Sequence, residues 1–185
     1  MQRREAVKKI TLALGVTIGL PTVFQIFSAC NNRETNWNPE FFEKSDIYSI
    51  DFLVDIILPE TSSIGGKKLN LSQFIDKMCK DVFSTENQQI LNLGIKEFST
   101  KFEQKFNKKT IEGNKENYEE FLNVHFNISK EKEKNIFKLL AVNYRNIPFN
   151  LKSEYVLYYF LTTIRELSLL GYFTSQEIYE DKMFY

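Results

Sequence analysis

From Asp46 onward, apolar residues recur every three or four positions and are separated by short polar breaks. That spacing belongs to helices with one buried face. Ile47, Ile50, Val54 and Ile57 define a first helix from Ser45 or Asp46 to Leu58, halted ahead of Pro59. Ser62-Ser63 and Gly65-Gly66 mark a loop up to Asn70. A second helix to about Phe83 carries a narrow stripe of Leu71, Phe74, Ile75, Met78 and Val82, with Asn70 as its expected N-cap. Thr85 and Gln88 fit a capping box. They predict a third helix whose inner face is Leu91, Ile95, Phe98, Phe102 and Phe106, with Lys101 and Lys105 opposite.

Polar residues and Gly113 break the pattern over 108–115, after which Glu116–Phe126 reads as a short helix around Tyr118, Phe121 and Leu122. Ser129 is placed to cap a helix from Lys130 to Tyr144. The alternating charges of its first turns make a solvated face, and Ile136, Phe137, Leu139 and Leu140 are expected on the buried one. Pro148 interrupts the segment that follows. Ser153–Leu170 differs from the rest, because Tyr155–Leu161 is apolar around the whole circumference and only Glu154, Arg165 and Glu166 carry charge. Such a helix belongs at the centre of a bundle rather than across a bilayer. Gly171 is its expected C-cap, and Thr174 with Glu177 the capping box of a last short helix. The pattern predicts an all-α protein, a single bundle-like domain of about six helices.

Ahead of this body the patterning changes. Arg3, Arg4, Lys8 and Lys9 precede an apolar run from Ile10 to Phe24. A cationic start, a short apolar run and small residues at a cleavage point make the physical form of an export signal. The run, broken by Gly15, Gly19 and Pro21, is shorter than the roughly twenty residues of a stable span, the alternative reading. Arg3-Arg4-Glu5-Ala6-Val7-Lys8 resembles a twin-arginine signal, the route for folded cargo, with Arg3, Arg4 and Lys8 as its determinants. Phe27-Ser28-Ala29-Cys30 resembles a bacterial lipoprotein cleavage box, which makes Cys30 the expected site of lipidation. The expected division is a signal over 1–29, a tether over 30–44 and the helical domain over 45–185. The expected location is the periplasmic side of a bacterial membrane, held by the lipid anchor. In the polar tether Trp37, the single tryptophan, is expected to pack on the domain.

Charge and chemistry narrow the reading. The whole chain has formal net charge 0, and removal of Arg3, Arg4, Glu5, Lys8 and Lys9 leaves the rest at −3, so no nucleic-acid partner is expected. Cys79 is then left without a second cysteine for a disulfide and without a Cys-x-x-Cys motif, so it reads as a buried inert thiol. Seventeen Phe and nine Tyr supply an aromatic interior. Asp51 and Asp55, one turn apart, lack a third ligand. His125, the only histidine, has no accompanying soft ligands. No catalytic residue, metal site or cofactor-binding residue is expected, since no G-x-G-x-x-G and no C-x-x-C-H is present.

One resemblance is specific. Arg165-Glu166-Leu167-Ser168-Leu169-Leu170-Gly171-Tyr172-Phe173-Thr174-Ser175 resembles the signature string of the gluconate 2-dehydrogenase subunit 3 family, with two conservative changes. Ile56-Ile57-Leu58-Pro59-Glu60-Thr61, a glycine-containing loop and Phe74-Ile75-Asp76 are also similar to that family, as is the order of signal, cysteine and helical domain. The resemblance implies a non-catalytic accessory subunit of a membrane-bound oxidoreductase. Its implied partners are a large FAD-containing dehydrogenase acting on a sugar acid or polyol and a c-type cytochrome, so FAD and c-type haem are expected on partner subunits. It further implies that this subunit lends its export signal to the flavoprotein. Gly171, Tyr172, Phe173, Thr174 and Ser175 are the candidate partner contact. Tyr172 and Phe173, read as a turn between helices, either anchor an interface or fold back on the core. The alternative reading is a free-standing envelope lipoprotein with a helical interaction domain.

Overall fold

The structure is a computed structural model. It describes residues 37–175 together with Ile10, Thr22, Val23, Gln25, Ile26 and Ile178. Among the described residues there are six α-helices and no strand, the all-α class that the periodicity predicts. The helices are α1 Lys44–Ile57, α2 Leu71–Asp81, α3 Thr85–Phe106, α4 Lys115–Phe126, α5 Lys130–Leu140 and α6 Lys152–Thr174. Single turns of 3-10 helix lie at Thr110–Glu112, Tyr144–Asn146 and Phe149–Leu151. The backbone groups these elements into two compact units. One holds α1, α2 and α6 from Thr163 onward; the other holds α3 to α5 and α6 up to Thr162.

In the first unit, α1 starts where the Glu43 N–H donates to Asp46 Oδ2 at 3.2 Å. The Asp46 carboxylate also faces the positive end of the helix dipole. Ile47, Ile50, Leu53 and Val54 are buried, whereas Ile57 is half-buried. The narrow stripe expected of α2 is corrected. Leu71 to Asp76 are all buried, so more than a full turn is enclosed, including Ser72, Gln73 and Asp76. Buried polar groups need partners, and Ser72 Oγ donates to Asp51 Oδ1 at 2.5 Å. Asn70 holds the expected N-cap position but does not cap through its side chain. It adopts φ 51°, ψ 37°, a left-handed conformation that asparagine tolerates, and its side chain makes no capping bond.

The second unit has an aromatic core. Phe98 meets Phe121 edge-on with ring centroids 4.9 Å apart, and Phe102 lies 4.8 Å from Tyr118. Edge and tilted contacts of this kind contribute about 0.5–1.5 kcal/mol each beyond area burial. Tyr118 is fully buried, and its hydroxyl donates to the Thr110 carbonyl at 2.9 Å. Gly94 lets α3 come close to α6: a Cβ there would stand 2.5 Å from the Val156 carbonyl oxygen and 2.6 Å from Phe160 Cβ.

Two boundaries in this unit differ from expectation. α3 begins at Thr85 itself, which places that residue inside the first turn rather than ahead of it. α5 is capped by Ser129, whose Oγ accepts from the Lys132 N–H at 3.2 Å. It ends at Leu140, because Asn143 Oδ1 accepts from the Arg145 N–H at 2.9 Å and opens a 3-10 turn instead. Phe137 is 61% exposed, not buried. Leu139, Leu140 and Tyr144 pack on Ile90, Ile147, Tyr155 and Val156, and that seam turns Phe137 outward.

α6 is 23 residues long. Tyr155, Val156, Leu157 and Tyr158 are consecutive and all buried, which encloses a complete turn. Among the described residues no helix is long and apolar enough to cross a membrane.

Candidate functional site

The signature segment 165–175 is the last part of α6 and the residue after it. Gly171 is not a C-cap, and Tyr172 and Phe173 are not in a turn, for the helix continues to Thr174. Gly171 is small because the first unit packs tightly here. A Cβ would stand 2.7 Å from Leu71 Cδ2 and 2.8 Å from Phe74 Cδ1. The small polar residues of the segment are turned back on their own helix. Ser168 Oγ donates to the Ile164 carbonyl at 2.7 Å, Thr174 Oγ1 to that of Leu170 at 2.8 Å and Ser175 Oγ to that of Tyr172 at 2.9 Å. Thr174 is the last residue of α6, and Glu177, its expected partner in a capping box, lies outside the described residues.

Burial sorts the segment into two sets. Leu167, Ser168, Leu170, Gly171, Thr174 and Ser175 are buried, while Leu169, Tyr172 and Phe173 are half-buried and Arg165 is exposed. Positions 165, 169, 172 and 173 lie on one side of a helix. Tyr172 and Phe173 meet edge-on with centroids 5.7 Å apart. Beside them, Arg165 Nη1 lies 3.3 Å from Glu166 Oε1. Burial pushes the Glu166 carboxyl above its ordinary range, and Arg165 partly opposes that shift. The segment thus offers an aromatic edge held on a rigid helix, with one cation and one half-buried acid at its border.

The other reactive residues have structural employment. Asp51 is raised above the ordinary carboxylate range chiefly by burial, against which its Ser72 bond and Lys67 act. His125 Nδ1 lies 2.8 Å from the Phe121 carbonyl, and its ring stacks on Phe121 at 4.3 Å. Burial lowers its pKa most, and Lys132, Lys101 and Lys105 lower it further. Cys79 is fully buried and its thiol is pushed well up by burial and then by Asp76, which keeps it protonated. Asp55 is half-buried on α1. Among the described residues, no three His, Cys, Asp or Glu side chains are grouped so as to hold a metal ion. Arg3, Arg4, Lys8 and Cys30 lie outside the described residues.

Asp76 is the residue whose role the sequence pattern misses. Its fully buried carboxylate accepts three successive backbone N–H groups, from Glu40 at 2.8 Å, Phe41 at 3.0 Å and Phe42 at 2.9 Å. Three consecutive amides converging on one anion form a nest, here filled by the protein's own side chain. The available signal was an acid set between Ile75 and Met78 in the apolar part of α2.

Fold and site define an all-helical protein with its most distinctive segment committed to internal packing and a narrow aromatic edge. The family model for gluconate 2-dehydrogenase subunit 3 matches residues 45–185. This chain belongs to that family, whose members are accessory subunits of a dehydrogenase complex. Comparisons with curated proteins and with solved structures find no match.

Proposed function

We propose that this chain is the non-catalytic accessory subunit of a membrane-bound, FAD-dependent dehydrogenase of sugar acids or polyols, and that it carries the export signal for the flavoprotein. Family membership over residues 45–185 carries this reading. The twin-arginine-like Arg3-Arg4-Glu5-Ala6-Val7-Lys8 ahead of that body supports it, because a flavoprotein folded around FAD needs a route for folded cargo. In this reading FAD sits on the large partner and c-type haem on a cytochrome subunit. Lipidation of Cys30 retains the assembly on the periplasmic side of the membrane. Tyr172 and Phe173 make the partner contact, while Gly171, Thr174 and Ser175 keep the segment packed.

The deciding experiment changes Arg3 and Arg4 to Lys in cells carrying the whole complex. The flavoprotein is expected to remain in the cytoplasm, and its normal arrival in the periplasm would overturn the escort role. Detergent-solubilised wild-type protein should co-purify with a large FAD protein, and Tyr172→Ala with Phe173→Ala should reduce the yield. A free-standing lipoprotein would purify without any dehydrogenase. Dehydrogenase activity in the isolated chain would contradict the non-catalytic assignment.

A further inference from the structure

Residues 134–152 hold Lys134, Lys138, Arg145 and Lys152 and no acidic residue, in a chain that is neutral overall. The two most exposed large apolar side chains described, Phe149 at 91% and Phe137 at 61%, lie in the same stretch. On α5, Phe137 lies one turn from Lys134 and beside Lys138 on the solvent face. The opposite face is already occupied, since Leu139 and Leu140 pack on the Ile90–Tyr155 cluster. Phe149 follows Pro148 and opens a 3-10 turn that ends at Leu151, ahead of Lys152. Acids do approach this stretch. Glu86 Oε1 lies 3.1 Å from Arg145 Nε, and Glu131, Glu133 and Glu154 flank it, yet the Arg145 side chain remains 79% exposed.

We infer that this stretch lies on an anionic phospholipid leaflet, with Phe137 and Phe149 entering the headgroup boundary and the four cations meeting lipid phosphates. Exposed aromatic residues interleaved with lysines match the two-layer chemistry of a membrane surface. A protein interface is a poorer match, because lysine is depleted from interface cores. A second copy docking through the same patch would set cation against cation. The inference goes beyond the accessory-subunit reading and does not rest on acylation of Cys30.

The test uses the full chain with Trp37→Phe and Phe149→Trp, so that the only indole reports from position 149 whatever the N-terminal apolar run does. On vesicles of equal parts phosphatidylglycerol and phosphatidylcholine with brominated acyl chains, its emission should shift to the blue and be quenched. On phosphatidylcholine alone it should do neither. Lys134→Glu with Lys138→Glu should weaken the partition of this stretch at least about fivefold per lysine. Phe137→Trp in the same Trp37→Phe background gives an independent second reporter. Water-like emission from both positions on anionic vesicles, or equal quenching on both lipids, would overturn the inference. So would a vesicle-free blue shift that grows with protein concentration, which marks a second copy. A blue shift that requires a co-purified dehydrogenase would give the stretch to that protein instead.

Discussion

Gly171 and Phe74 are so close that a methyl group on the glycine would stand 2.8 Å from the Phe74 ring. Gly171→Ala gains about 1 kcal/mol of helix propensity but forces a fully buried ring aside. The net expectation is a loss of about 1–2 kcal/mol in urea unfolding. Gly94→Ala should cost more. Its new methyl meets the Val156 carbonyl oxygen at 2.5 Å, and a helix backbone cannot swing away as a side chain can. Phe74→Leu in the Gly171→Ala background should recover part of the loss at position 171 and would leave Gly94→Ala unrelieved.

Asp76 supports the second prediction. Asp76→Ala leaves the amides of Glu40, Phe41 and Phe42 without their acceptor and should destabilise the fold by about 2–4 kcal/mol. Asp76→Asn keeps one oxygen for Phe41 and Phe42 but turns an NH2 toward the Glu40 N–H. It should fall between the two. Hydrogen exchange checks the assignment directly, since protection at residues 40–42 should be lost before that of α2.

His125 predicts a pH effect of definite sign. Its folded pKa is lowered, mainly by burial, so the unfolded chain binds the proton more readily. Stability from this group is complete above about pH 6.5 and is lost as pH falls through the lowered folded value. His125→Gln should flatten the stability profile below about pH 6.5, as measured by urea midpoints. A wild-type profile unchanged over that range would remove His125 as its cause.

Asp51 acts in the opposite direction. Burial raises its folded pKa, so the folded state holds the proton more tightly than the unfolded chain. As pH rises from about 4 through the raised folded value, this group takes stability away. Asp51→Asn preserves an oxygen for the Ser72 hydroxyl and removes the buried charge. The variant should be at least as stable as wild type at pH 7 and should lack this acid-side gain, as read from thermal unfolding at pH 4 and 7.

The apolar spacing made the helices legible because each buried face repeats within one element, as Ile47, Ile50 and Val54 do. What it could not supply depends on residues far along the chain. Glycine after an apolar helix suggests a C-cap. At position 171, however, its smallness answers to Leu71 and Phe74, about a hundred positions earlier. Phe137 sits on a helix with apolar residues on two sides. The packing of Leu139, Leu140 and Tyr144 decides which side turns inward. The segment proposed for partner binding was visible as a motif, while its division into packed residues and a half-buried edge required the fold. Asp76 was hidden for the same reason, since its partners lie 34 to 36 positions away.

That carboxylate also has a mechanical meaning. A pull applied at residue 40 meets the Asp76 nest at residues 40–42, ahead of α1. There it is passed through three parallel hydrogen bonds into the middle of α2. Load applied there therefore bypasses the first turn of α1, and Asp76 is the fastening that must give way before that helix can be drawn out.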